Sequence, residues 1–145
     1  MKRLILIIFL CLVSAITANA QKNMAIARIF NDDYTKRHDV EATILQGMTL
    51  KSTGLSLFRS FKVTDNRAIA GKIERMICND AKKASSKEMH MKGGHLAFAF
   101  LAFSKDNGKY AYLLFKQSDS KCTASVIYME GSLTPNEVKQ KFLKQ

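Results

Sequence analysis

The residues with the clearest capacity for chemistry lie in a short stretch that carries methionine and histidine. The thioethers of Met89 and Met91 flank the imidazole of His90, and His95 follows four residues after Met91. Thioether and imidazole groups bind copper, Cu(I) above all. A methionine-bearing loop or edge strand accounts for the same pattern, so a copper site and a purely structural role both remain open.

Two cysteines, Cys78 and Cys122, could form a disulfide or serve a thiol hydrolase. A bridge would close a loop of 43 intervening residues, which in the chain-entropy estimate stabilises a fold by about 4 kcal/mol. Cys78, however, lies on the opposite side of its predicted helix from the apolar stripe. A hydrolase would need a histidine and an orienting carboxylate beside the thiol, and neither cysteine lies in such a motif.

Carboxylates gather at Asp32 and Asp33, with His38 and Asp39 close behind. They could form a small carboxylate site, although charged turns after helices are common. The sequence has no Gly-rich phosphate loop, no His-Glu-x-x-His, no Cys-x-x-Cys and no Gly-x-Ser-x-Gly. We therefore predict a protein that is not an enzyme, with no catalytic residues and no cofactor.

The first twenty residues have the pattern of a secretory signal peptide. Lys2 and Arg3 form a basic start, residues 4–16 form an apolar run, and a small-x-small site ends at Ala20. The run of thirteen residues is shorter than the roughly 20 that span a bilayer. We predict cleavage between Ala20 and Gln21, a single domain over residues 21–145, no transmembrane span in it, and a periplasmic or secreted location.

The predicted mature chain is strongly basic. Without Lys2 and Arg3 it holds 21 basic and 12 acidic residues, a formal charge of +9. Such a balance favours anionic lipid headgroups, acidic glycans or nucleic acid as partners. Export disfavours nucleic acid, and the basic residues are scattered, as on an ordinary solvated surface. Binding to a polyanion therefore stays open.

Residues 95–129 predict a three-stranded antiparallel meander. Its turns are Asn107-Gly108, a strong signal for a two-residue hairpin loop, and Asp119-Ser120. These turns would place Ala102 opposite Leu113 and sort the side chains onto two faces. Face one would hold the core: Phe98, Phe100, Ala102, Ala111, Leu113, Phe115, Ala124, Val126 and Tyr128.

Face two of this meander is too apolar for an ordinary wet surface. Its large side chains predict an aromatic platform that binds a peptide, a glycan or a second copy. Alternatively, the N-terminal helix or the strands after it cover this face. The platform residues are Leu101, Phe103, Tyr110, Tyr112, Ile127 and Met129.

The remaining segments complete an α+β fold. Periodicity predicts a helix over residues 23–34, strands over 40–45 and 55–63, a helix capped by Thr64 or Asp65, and a loop over 85–94. A final helix starts at Thr134-Pro135-Asn136-Glu137, which combines an N-cap, proline at the first helical position and a capping-box glutamate. We predict one mainly antiparallel sheet of about five strands, with the helices packed on face one.

Two segments carry a resemblance in layout. They are Leu55-Ser56-Leu57-Phe58-Arg59-Ser60-Phe61 and Tyr128-Met129-Glu130-Gly131-Ser132-Leu133-Thr134. The chain resembles small exported bacterial proteins classed as domains of unknown function, in which an acidic-Gly-x-Leu turn leads to a short closing helix. The resemblance implies this fold and an envelope or secreted setting, and it brings no catalytic motif.

Two functions follow as hypotheses. The first is an exported, non-enzymatic binding or accessory module of the bacterial cell envelope, whose partner is an envelope protein, a peptide, a glycan or a second copy. The alternative is a small metal-handling protein or enzyme that uses Met89, His90, Met91 and His95. A copper titration that compares the wild type with His90→Ala separates them.

Overall fold

The computed structural model describes residues 24–144, so the predicted leader and its cleavage site lie outside the described residues. Among residues 24–144, no helix is both long and apolar enough to cross a membrane. The helices are a 3₁₀ helix (Ala25–Phe30), α1 (Asp32–Thr35), a second 3₁₀ helix (Gly47–Leu50), α2 (Arg67–Ala81), a third, single-turn 3₁₀ helix (Asp106–Gly108) and α3 (Pro135–Phe142). The strands are β1 (Val40–Gln46), β2 (Leu55–Val63), β3 (Ser86–Lys92), β4 (His95–Ser104), β5 (Tyr110–Gln117) and β6 (Ala124–Gly131).

The strands form one antiparallel sheet in the order β1-β2-β6-β5-β4-β3. The predicted α+β class is therefore confirmed, with six strands instead of about five. The additional strand is β3, which lies where the sequence predicts a loop over residues 85–94. Gly93 and Gly94 both have positive φ and form a tight turn that pairs β3 with β4, a conformation that glycine adopts without strain.

The predicted N-terminal helix is present in two short pieces. The chain is extended at Asn31, with φ −82° and ψ 167°, which separates the first 3₁₀ helix from α1. Ile26 and Ile29 are fully buried. The carboxylate of Asp80 on α2 accepts the backbone amides of Ala25 at 2.7 Å and Ile26 at 2.9 Å. This carboxylate fixes the start of the 3₁₀ helix against α2.

Helix α2 is present as predicted, but its cap differs from the prediction. The side chain of Asn66 accepts the amide of Ile69 at 3.0 Å, so the N-cap is Asn66 and neither Thr64 nor Asp65. Asp65 has positive φ and lies in the turn that precedes the cap. The apolar stripe of α2, which includes Ile69, Ile73 and Ile77, packs on one face of the sheet. We call this face the α2 face.

The turn between β4 and β5 is one residue longer than predicted, and this changes the faces of β4. The amide of Lys105 donates to the carbonyl of Lys109 at 2.8 Å, so the loop holds three residues. Ala102 therefore pairs with Tyr112 instead of Leu113. A shift of one residue exchanges the two sides of a strand. The second turn is also longer than predicted, and it shifts the pairing of β5 with β6 by two residues. Because a shift of two residues leaves every side chain on the same face, the predicted faces of β5 and β6 are correct.

The opposite side of the sheet has its own core, which we call the α3 face. Its buried residues are Leu50, Leu55, Phe100, Ala102, Tyr112, Leu114, Met129, Leu133 and Val138. Helix α3 begins at the predicted capping box, in which the hydroxyl of Thr134 accepts the amide of Glu137 and the carboxylate of Glu137 accepts the amide of Thr134. The helices thus pack on both faces of the sheet, not on one.

Candidate interaction surface

The six residues of the predicted aromatic platform do not form an exposed surface. Tyr112 and Met129 are fully buried on the α3 face, where Tyr110 and Ile127 are half-buried. The register of β4 places Leu101 and Phe103 on the α2 face instead. The platform prediction is therefore wrong, because of the one-residue shift of β4 and because Leu133 and Val138 cover the centre of the α3 face.

Tyr112 lies at the buried centre of the α3 face. Its hydroxyl donates to the backbone carbonyl of Leu133 at 2.5 Å. Its ring stacks on Phe100, with centroids 5.8 Å apart, and on Tyr110 at 6.0 Å. Burial raises the pKa of the Tyr112 phenol well above its usual value. The hydroxyl therefore serves as a buried donor that ties the segment before α3 to β5.

The methionine and histidine residues lie on the β3–β4 hairpin, and their side chains point in different directions. Met89 packs toward the α2 face, whereas His90 lies 5.6 Å from the ring of Phe98 and 3.1 Å from a Glu88 oxygen. Met91 is 63% exposed and His95 is buried. Within residues 24–144, no group of three or more histidine, cysteine and acidic side chains is arranged to hold a metal ion.

Cys78 and Cys122 are both free thiols. The carbonyl of Cys122 accepts the amide of Asn66 at the start of α2. Cys78 lies twelve residues farther along that helix, which corresponds to roughly 18 Å of helix. A disulfide needs Cα atoms less than about 7 Å apart, so this fold does not allow the bridge. Burial and the charge of Glu74 raise the pKa of the Cys78 thiol, which disfavours a nucleophilic thiolate.

The carboxylates of the candidate site at Asp32, Asp33 and Asp39 do not form one site, because Asp32 and Asp39 belong to separate ion pairs. Asp32 pairs with Lys36 at 2.9 Å along α1. Asp39 accepts two hydrogen bonds from the Arg37 guanidinium, at 2.9 and 3.1 Å, and one from Asn66 at 2.8 Å. These bonds hold the pKa of Asp39 far below its usual range. Asp39 therefore ties the start of β1 to the cap of α2, which is a structural role.

A buried acidic residue, Glu130 on β6, was not singled out by the sequence. One of its oxygens accepts hydrogen bonds from Lys105, at 2.5 Å, and from the hydroxyl of Tyr128. Burial and this carboxylate raise the pKa of Tyr128 well above its usual value. The ion pair links the β4–β5 turn to β6, and the carboxylate is occupied by partners from the chain itself.

The two outer strands of the sheet differ in how they present their free edges. Strand β3 carries Lys87, Glu88 and Lys92 and has a bulge after His90. Charges and bulges of this kind discourage further pairing at a sheet edge. Strand β1 has a single charged residue, Glu41, and pairs with β2 in one unbroken register. No strand within the described residues pairs with the outer side of β1.

Exposed apolar side chains concentrate at the end of this same strand. The large hydrophobic side chains with high exposure in the described chain are Ile44 at 51%, Met48 at 81% and Met91. Ile44 lies on β1, and Met48 lies on the second 3₁₀ helix directly after it. An edge strand can be extended by a strand of a partner protein, and such a partner would also cover exposed apolar groups at its end.

A groove of about 500 Å³ adjoins Met48. Its lining residues are Gly47, Met48, Lys51, Gly54, Leu55, Ser56, Lys109, Gly131 and Ser132. The backbones of the segments that form it approach closely, since a Cβ added to Gly131 would lie 2.8 Å from the Cα of Leu55. Lys51 and Lys109 place positive charge at the groove. We call the outer edge of β1, Met48 and this groove together the β1 corner.

The sequence signals for the β1 corner were weak. Residues 40–45 alternate only loosely, and Gly47 marked the end of a strand without showing where that strand lies in the sheet. The position of β1 at the edge follows from the pairing of β2 with β6, which are about seventy residues apart in the chain. Local patterns do not contain that information.

Comparison with protein families gives a match over most of the chain. A model for a family of unknown function (DUF6108) matches residues 13–142, nearly the whole chain. No curated protein matches the sequence.

Proposed function

The chain belongs to this family of unknown function, and we propose that it is an exported, non-enzymatic binding module of the bacterial cell envelope. The observation that carries the proposal is the outer edge of β1, with which no strand of the described residues pairs. The seven residues of β1 include one charged residue, and the side chain of Ile44 on this strand is half exposed. An edge strand without a bulge and with so few charges pairs readily with another strand.

Binding at this edge would proceed by strand addition. An extended segment of a partner protein would pair with the outer backbone groups of β1, and main-chain hydrogen bonds would supply the affinity. Side chains on alternate positions of the added strand would reach Ile44 and Met48. The groove beside Met48 would accept one further side chain, and Lys51 and Lys109 favour an acidic group there.

The envelope location rests on the leader pattern and on the charge of the chain. A formal charge of +9 for residues 21–145 favours retention near the anionic polymers and headgroups of an envelope. Fractionation of the native host followed by mass spectrometry tests this part. We expect a product that begins at Gln21 in the periplasmic or extracellular fraction, and a cytosolic product that retains Met1 would contradict it.

A peptide-display selection tests the binding part. We expect the selected peptides to be extended, rich in β-branched residues and acidic at one end. Ile44→Lys should abolish their binding because it adds a charge to the edge. The matched control is Met91→Lys, which adds the same charge at a similarly exposed methionine on the other edge strand. Peptides that bind equally well to both variants would contradict the proposal.

A further inference from the structure

We propose that the strand that β1 accepts is β1 of a second copy of this chain, in antiparallel orientation, so that two six-stranded sheets join into one. This inference deepens the proposed function, because it identifies the partner of the same edge. Three properties of the β1 corner support a second copy: its self-complementary sequence, its distribution of charge and its exposed apolar side chains.

The sequence of β1 is compatible with pairing to itself. A two-fold axis at Thr43 would set Thr43 of one copy against Thr43 of the other, Ala42 against Ile44, and Glu41 against Leu45. Ile44, which is 51% exposed in the single chain, would then be covered on one side by Ala42 of the second copy. The two Glu41 carboxylates would not face each other, so the pair avoids a like-charge contact.

The charges at the two ends of β1 favour the antiparallel arrangement. Residues 32–41, which lead into the strand and include its first two residues, carry Asp32, Asp33, Asp39 and Glu41 against Lys36 and Arg37, a net charge of −2. The far end of the strand leads to the groove, whose lining includes Lys51 and Lys109 and no acidic residue. In an antiparallel pair, the acidic end of each copy lies beside the basic end of the other. In a parallel pair, like ends would meet.

The size of the contact sets the expected strength of the dimer. Stable interfaces bury roughly 1,200–2,000 Å² in total, and two seven-residue strands alone bury less. Ile44 from both copies adds apolar area beside the two-fold axis, and Met48 adds it at each end of the strand pair. We therefore expect a dimer with a dissociation constant on the order of micromolar.

Analytical ultracentrifugation of the protein purified from exporting cells measures this equilibrium. We expect a monomer–dimer equilibrium for the wild type and an association roughly tenfold or more weaker for Ile44→Lys. Met91→Lys, with the same change in net charge on the opposite edge, should dimerise like the wild type. A wild type that stays monomeric at all concentrations would overturn the inference, as would equal loss of the dimer in both variants.

Cysteine cross-linking tests the register without relying on a destabilising change. In a background with Cys78→Ser and Cys122→Ser, Thr43→Cys places one thiol on each side of the two-fold axis, within the reach of a disulfide. Oxidation should give a covalent dimer. Glu41→Cys should not cross-link, because in this register it faces Leu45. Cross-linking at position 41 and not at 43 would overturn the antiparallel register.

The outcomes separate this inference from the proposed function. If the wild type is monomeric but still selects extended peptides that Ile44→Lys no longer binds, strand addition at β1 stands and the second copy is excluded as the partner. If the wild type is monomeric and no peptide depends on Ile44, the proposed function fails as well.

Discussion

The carboxylate of Asp80 accepts the backbone amide of Ile26 at 2.9 Å, across 54 positions of the sequence. The same carboxylate accepts the amide of Ala25 at 2.7 Å. The first amides of a helix have no partner within the helix, and here a buried side chain on α2 supplies one. The N-terminal 3₁₀ helix, whose Ile26 and Ile29 complete the core of the α2 face, is therefore anchored at its start by one residue of another helix.

Removal of this carboxylate should detach the start of the 3₁₀ helix. We expect Asp80→Ala to lower the free energy of unfolding by about 3 kcal/mol, because it leaves one buried and one partly buried amide without an acceptor. Asp80→Asn keeps one acceptor oxygen and should lose less. Urea unfolding measures the loss, and hydrogen exchange at residues 25–30 locates it. The control is Asn79→Ala on the exposed side of α2, and equal losses in Asp80→Ala and this control would refute the role of Asp80.

Asp39 should make stability depend on pH in the acid range. Its hydrogen bonds from Arg37 and Asn66 hold its folded pKa below the ordinary value of 3.8. The unfolded chain therefore binds a proton more readily, and the stabilisation is present above about pH 4 and lost as the pH falls. Asp39→Asn should be less stable than the wild type at neutral pH and converge with it in acid. Denaturation curves at several pH values measure this, with Asp33→Asn as the control; parallel stability profiles for Asp39→Asn and the wild type would contradict it.

The hydroxyl of Tyr112 should stabilise the attachment of the segment before α3. Tyr112→Phe keeps the ring stack with Phe100 but leaves the buried carbonyl of Leu133 without its donor. We expect a loss of about 1.5 kcal/mol in the free energy of unfolding. Tyr110→Phe, which removes the hydroxyl of the neighbouring half-buried ring, should lose much less. Thermal and urea unfolding measure the free energy of unfolding of both variants. Similar losses in the two would show that the hydrogen bond to Leu133 does not stabilise the fold more than an ordinary tyrosine hydroxyl does.

The predictability of each element depended on whether its signal was local. The capping box at Thr134 and the apolar stripe of α2 are local, and both helices are where the sequence placed them. Strand β3 was missed because it is an edge strand that carries Lys87, Glu88 and Lys92 among its seven residues, so its apolar period is weak. The glycine pair at Gly93 and Gly94 was the available signal, since two glycines in sequence favour a tight hairpin turn.

The two surfaces, the predicted aromatic platform and the β1 corner, could not be derived from the sequence because they depend on strand register and strand order. Asn107 and Gly108 correctly marked a turn, but loops of two and three residues use the same dipeptide, and the difference decided which face of the sheet each β4 side chain joins. The platform prediction failed at that step. The β1 corner depends on the order of strands in the sheet, which is set by contacts between residues distant in the chain.

The β3–β4 hairpin should bind copper no better than isolated methionine and histidine side chains do. Met89 packs toward the α2 face while His90 lies beside Phe98 on the other side of the strand, so the thioether and imidazole do not converge on one position. A soft-ligand copper site needs such convergence. Titration of the purified protein with Cu(I) in the presence of a competing chelator should therefore give the same weak affinity for the wild type and for His90→Ala. Met48→Leu, which removes an exposed thioether elsewhere, is the control for non-specific binding. A wild-type affinity that falls tenfold or more in His90→Ala and not in Met48→Leu, by roughly 1.4 kcal/mol or more, would show that the hairpin rearranges around the metal and would restore copper handling as the function.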